Sequence, residues 1–134
     1  MSEEEPSSER PLRILVVDDD PLLLSALARL FRKHRVTAVG DVGAALAAID
    51  DGGTFDTIVS DLMLPGRSGA DFYREVHRRS ADLAQRFVFL TGGATTAATQ
   101  KFLAEVRQPV FAKPFDRNEL RQAVEAIGRE VKTE

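Results

Sequence analysis

The chain has no cysteine. That absence excludes disulfides, thiolate nucleophiles and zinc–thiolate sites together. Histidine is nearly absent as well, with only His34 and His77, so a metal centre built on imidazoles is disfavoured. The longest apolar stretches fall far short of the ~20 residues that a membrane-spanning helix needs. The first ten residues, Met1-Ser2-Glu3-Glu4-Glu5-Pro6-Ser7-Ser8-Glu9-Arg10, hold no hydrophobic core and make no signal peptide. Residues 1–10 therefore read as a disordered leader, residues 131–134 as a tail, and a cytoplasmic location is expected. An excess of positive charge is also missing. The net charge is −3, which gives no electrostatic reason to expect direct binding to nucleic acid or to a membrane. No Gly-x-Gly-x-x-Gly follows the first strand-like segment, so a dinucleotide-binding fold is disfavoured.

What remains is enough for one domain, placed at residues 11–130. The chain has 134 residues, of which 43% are hydrophobic and 29% charged, the balance of a soluble domain with a packed core. Strand-like and helix-like segments alternate along it. Leu12 to Val17, Val36 to Val39, Thr57 to Ser60, Arg86 to Thr91 and Pro109 to Ala112 are short and rich in β-branched or aromatic residues, and read as strands. Between them lie segments with helical spacing: Pro21 to Lys33, Val42 to Asp50, Ser68 to Arg79, a stretch from Thr95 or Thr96 to about Val106, and a last one behind Asp116. Gly52-Gly53 ends the second helix, Ser68 caps the third, and Asp116 with Glu119 makes a capping box for the last. His34 and His77, among polar neighbours, are expected at the surface. Such alternation implies an α/β fold: a doubly wound, five-stranded parallel sheet with helices on both faces.

Two acidic clusters decide the strand order. Leu15-Val16-Val17 runs into Asp18-Asp19-Asp20-Pro21, and Ile58-Val59-Ser60 runs into Asp61-Leu62-Met63-Leu64-Pro65-Gly66. In open α/β sheets the ligand site lies outside the carboxyl ends of the strands, at the point where the strand order reverses. The order 2-1-3-4-5 sets strands one and three side by side at that point. With strands about 4.8 Å apart, Asp18, Asp19 and Asp61 then share one coordination sphere. Carboxylates held so close need a cation. Asp20 differs: it directly precedes Pro21 and suits the N-cap of the first helix.

Further matches lie at the other strand ends, with Thr91 in Phe89-Leu90-Thr91-Gly92 and Lys113 in Lys113-Pro114-Phe115. With Asp18-Asp19 and Asp61 they form an ordered set from about Leu12 to Ile127, and on that set the chain resembles a receiver domain of the two-component response-regulator family. The resemblance implies that Asp61 accepts a phosphoryl group from a histidine kinase or a histidine phosphotransfer domain. It implies Mg²⁺, ligated by Asp19, Asp61 and the backbone carbonyl of Met63, with Asp18 acting through water. Thr91 would hydrogen-bond a phosphoryl oxygen and Lys113 would pair with the acidic site. A cis Lys113–Pro114 peptide is implied too.

Each residue also has a plainer reading. Asp61 suits bracing the loop before Pro65-Gly66. Thr91 is a good strand residue in any context, and a lysine at a strand end is commonly solvated. Strand five lies roughly 10 Å from strand three, a gap that a long lysine can span. The resemblance further implies a two-state face made by the helix after strand four, strand five and the last helix. The aromatic residue that many members carry three positions before the lysine is Val110 here. Met63 and Gly93, which flank the acceptor, carry no acid or amide to position water, so hydrolysis of the phosphorylated form is expected to be unassisted. Two other readings stay open at this stage. One is a Mg²⁺-dependent phosphatase or phosphotransferase of the dehalogenase-like or Toprim type, and the other is an interaction module that is never phosphorylated. The donor kinase, the output partner or fused domain, and homodimer formation are not specified by the sequence.

Overall fold

A computed structural model of the chain describes residues 10–92 and 96–130. Its elements are β1 (Arg13–Val17), α1 (Pro21–Leu30), β2 (Arg35–Val39), α2 (Val42–Asp50), β3 (Thr57–Asp61), α3 (Gly69–Arg79), α4 (Ala81–Ala84), β4 (Phe87–Thr91), α5 (Ala97–Glu105), β5 (Val110–Ala112) and α6 (Arg117–Arg129). The five strands form one parallel sheet in the order β2-β1-β3-β4-β5. This is the expected fold class and strand order.

Alternation along the strands splits the core in two. Leu15 and Val17 of β1, Ile58 of β3, and Phe87 and Phe89 of β4 point to the face covered by α2, α3, α4 and α5, where Leu46, Phe72, Val76 and Phe102 meet them. Their neighbours Ile14, Val16, Val59, Val88 and Leu90 point to the opposite face, against Leu27 and Phe31 near α1 and Leu120 and Val124 of α6. The period of two places every second strand residue on the same side, so the central strands β1, β3 and β4 are buried on both faces, while the edge strands β2 and β5 stay partly exposed. The close fit of α6 depends on a missing side chain. A Cβ on Gly128 would lie 2.7 Å from Leu12 Cδ1 and 2.8 Å from Thr57 Oγ1.

Helix starts follow the cap chemistry. Asp20 accepts from the amide of Leu22 ahead of Pro21, Thr96 accepts from Thr99, and Asp116 accepts from Glu119. A reciprocal capping box forms at α3, where Ser68 and Asp71 each bond the other's amide. Gly52, at φ +87°, follows α2 in the left-handed region that glycine tolerates.

Three details depart from expectation. The first helix stops at Leu30 rather than Lys33, with Phe31 as its C-cap. A one-turn helix, α4, stands before β4, capped by Ser80. His34 is not a surface residue: its side chain is 4% exposed, with Nδ1 accepting from the amide of Leu12 at 3.0 Å and Nε2 2.9 Å from Glu125 Oε2. The expected leader (apart from Arg10), the tail, Gly93 and the alternative cap Thr95 lie outside the described residues.

Candidate functional site

The register builds the site. Val17 pairs with Ser60 across β1 and β3, so the next residues, Asp18 and Asp61, leave their strands side by side. Both are buried, at 0% and 3% exposure. Asp19, which follows Asp18, is exposed. Carboxylate oxygens of Asp18, Asp19 and Asp61 all lie within 4.8 Å of one another. On the far side, Thr91 pairs with Ala112, and the amide of the next residue, Lys113, donates to the carbonyl of Thr91 at 2.7 Å. That bond anchors the lysine backbone at the carboxyl edge. Its side chain reaches back across the sheet, and Nζ donates to Asp18 Oδ2 at 3.0 Å and to Asp61 Oδ2 at 3.1 Å. The Lys113–Pro114 peptide is cis.

Backbone groups complete the frame. The amide of Asp20 donates to Asp18 Oδ1 at 2.9 Å, and the amide of Met63 donates to Asp61 Oδ1 at 3.2 Å. Each buried carboxylate thus has one oxygen on the lysine and the other on a main-chain amide. The start of α3 closes against the acceptor strand. A Cβ on Gly69 would fall 2.3 Å from the Asp61 carbonyl oxygen, and the Gly69 amide donates to the Leu62 carbonyl at 3.0 Å. Only a residue without a side chain allows that approach.

The electrostatics are those of a site with too much negative charge. Three carboxylates face one ammonium, which leaves a net −2 with all groups ionised. Burial pushes the Asp61 carboxyl above its ordinary value and the neighbouring Asp18 charge adds to this, while the Met63 amide and Lys113 oppose it. For Lys113, burial alone would lower the ammonium. Its hydrogen bonds to Asp18 and Asp61 outweigh that and hold it above its ordinary value.

The structure therefore brings Asp18, Asp19, Asp61 and Lys113 together, as the sequence led one to expect. Asp20 acts as the α1 cap and not as a member of the cluster. Thr91 ends β4 at the same edge, where its hydroxyl bonds the Gly92 carbonyl at 3.4 Å. Met63 lies two residues past the acceptor and is 47% exposed. The amide bonds from Asp20 and Met63 were not foreseen, because nothing in a side-chain pattern marks a main-chain donor.

A doubly wound sheet with a carboxylate cluster at its switch point, bridged by a lysine that reaches in from the end of β5, defines a class of acidic-pocket α/β domain. Residues 14–125 match the family model for the response regulator receiver domain, and the chain belongs to that family. It is 32% identical over 120 residues to the transcriptional regulatory protein TcrA of Mycobacterium tuberculosis, covering 88% of this chain and 46% of that protein. It is 30% identical over 129 residues to the sensor histidine kinase AruS of Pseudomonas aeruginosa, covering 93% of this chain and 13% of that protein. The chain thus spans less than half the length of either relative. Among solved structures, it superposes with a TM-score of 0.76 at 26% identity on the receiver domain of the sensor histidine kinase PA1611 from Pseudomonas aeruginosa, described with a magnesium ion coordinated in the active site cleft. That match covers 90% of this chain and 100% of the other. The family is one of receiver domains and not of classical turnover enzymes, which sets the phosphatase reading aside. Among the described residues no helix is long and apolar enough to cross a membrane.

Proposed function

We propose that Asp61 is the phosphoryl acceptor of this domain and that the donor is a phosphohistidine on a histidine kinase or a histidine phosphotransfer domain. One observation carries the reading: Lys113 Nζ lies 3.0 Å from Asp18 and 3.1 Å from Asp61, at the mouth of a buried carboxylate cluster. A lysine held there is placed to meet the oxygens of a phosphoryl group arriving on Asp61. In the transfer, the P–N bond of the donor breaks and a P–O bond to an Asp61 carboxylate oxygen forms. The donor imidazole, protonated on its other ring nitrogen, leaves with the electron pair and is then neutral.

The donor set fits Mg²⁺. It consists of oxygens only, drawn from three carboxylates within 4.8 Å, and a hard cation that keeps some of its waters suits such a set. Asp19, Asp61 and the backbone carbonyl of Met63 would hold the ion, with Asp18 acting through water. When bound, it offsets the charge of the carboxylates and of the phosphoryl oxygens. The magnesium in the PA1611 receiver domain supports this assignment.

Lys113 orients the Asp18 and Asp61 carboxylates through its two hydrogen bonds. The Thr91 hydroxyl, now 3.4 Å from the Gly92 carbonyl, turns to donate to a phosphoryl oxygen. The added charge then biases the face formed by α5, β5 and α6 between two arrangements. Val110, at the start of β5 and 39% exposed, stands where many relatives of this type carry an aromatic readout, so the switch runs without that ring. Met63 offers no acid or amide to align water, so the phosphorylated form decays by unassisted hydrolysis.

Intact-mass spectrometry after incubation with Mg²⁺ and acetyl phosphate or phosphoramidate tests the reading. The expected result is one phosphoryl adduct on the wild type, lost in Asp61→Asn and in EDTA. No adduct with any donor would overturn it and favour an interaction domain that is never phosphorylated.

A further inference from the structure

We propose that Met63 is an oxidation site through which peroxide shortens the life of the phosphorylated domain. The inference rests on the reading of Asp61 as acceptor and adds a regulator of that site. Apart from Met1, Met63 holds the only sulfur in the chain, since there are two methionines and no cysteine. Its side chain is one of only three large hydrophobic side chains exposed among the described residues, with Leu22 and Val110. It leaves the chain two residues after the acceptor, and its amide is tied to Asp61 Oδ1 at 3.2 Å. The residue is thus open to a solvent oxidant, and its backbone is held beside the acceptor carboxylate.

The chemistry balances with a peroxide as sole co-reactant. A sulfur lone pair attacks one peroxide oxygen, the O–O bond breaks, and a sulfur–oxygen bond forms. The second oxygen leaves as hydroxide or alkoxide and takes a proton to become water or alcohol. Sulfur is oxidised to the sulfoxide and the peroxide is reduced. The product is a polar group where an apolar one stood, and sulfoxide reductases reverse it. A thioether is a weak hydrogen-bond acceptor and holds no water in place. A sulfoxide oxygen is a strong acceptor and can hold a water beside the acyl phosphate. It therefore supplies the water-positioning group that Met63 otherwise lacks.

The test uses the full chain. Hydrogen peroxide is applied first, and peptide mass spectrometry scores one added oxygen on Met63 separately from Met1. Mg²⁺ and acetyl phosphate follow, and decay of the adduct is timed after the donor is removed. The expected result is a half-life shortened about three- to tenfold, the rate equivalent of one added hydrogen bond. Sulfoxide reductase restores the original value. Met63→Leu has a half-life of its own that peroxide does not move. Failure of Met63 to take oxygen at doses that oxidise a free methionine peptide overturns the proposal, as does an unchanged half-life in the oxidised chain. Absence of any adduct on untreated protein overturns the acceptor reading as well. That outcome is recognised separately, because oxygen uptake is scored before the donor is added.

Discussion

Removing the Lys113 ammonium should destabilise the domain in metal-free buffer, and a cation should repair it. The lysine Nζ donates to Asp18 Oδ2 and Asp61 Oδ2 at 3.0 and 3.1 Å. Those side chains are 0% and 5% exposed, whereas the lysine itself is 27% exposed. Breaking a fully buried ion pair by deleting one partner costs about 3–5 kcal/mol, because the other charge is left uncompensated. Water reaches this lysine, so screening reduces the figure to about 2 kcal/mol. For a domain of this size that lowers the melting temperature by about 8 °C. The assay is thermal unfolding of Lys113→Met against wild type in EDTA, repeated with millimolar Mg²⁺. The loss in EDTA should shrink once Mg²⁺ supplies positive charge to the same carboxylates. Equal melting temperatures in EDTA would refute the reasoning, since the carboxylates would then not depend on the lysine. A loss that Mg²⁺ leaves untouched would mean that the cluster does not take the ion.

Three further outcomes follow from the same geometry. Asp61→Asn should raise stability in EDTA at neutral pH, because the folded state holds this carboxyl above its ordinary value of 3.8 and so disfavours its charge. The sign follows: a raised carboxyl favours the folded state below pH 3.8 and loses that contribution as pH rises through the folded value, so the advantage of Asn should be full at pH 7 and fade toward pH 3.8 in melts across that range. Gly128→Ala should cost about 1–3 kcal/mol by denaturant melts, since the new methyl meets Leu12 Cδ1 at 2.7 Å and Thr57 Oγ1 at 2.8 Å. Ser68→Ala should cost about 1 kcal/mol in the same assay, through loss of the box with Asp71 that starts α3 behind the acceptor strand.

The strand order was legible because chemistry and pattern agreed. Two acid-ended apolar runs had to be neighbours for their carboxylates to share a cation, and Val17 does pair with Ser60. Helix starts were legible for the same local reason, since Asp20, Ser68 and Asp116 carry cap chemistry that needs only the next few residues. What stayed hidden was non-local or too short to show a period. The four residues of α4 carry no helical repeat. The burial of His34 depends on Leu12, 22 residues away, and on Glu125, 91 residues away, and its polar sequence neighbours point the other way. Lysine reach across the sheet could be inferred from strand spacing. That one Nζ would take both Asp18 and Asp61 could not, because it depends on the relative depth of three strand ends.

The central claim is that the carboxylate of Asp61, and not that of Asp18 or Asp19, forms the bond to phosphorus. Borohydride reduction of the chain after incubation with acetyl phosphate and Mg²⁺ tests this directly. Reduction converts an aspartyl phosphate into homoserine, which tandem mass spectrometry locates by position. The account predicts homoserine at position 61 alone, and only when donor and Mg²⁺ are both present. Homoserine at position 18 or 19, or none anywhere on a chain that carries the adduct, would contradict it.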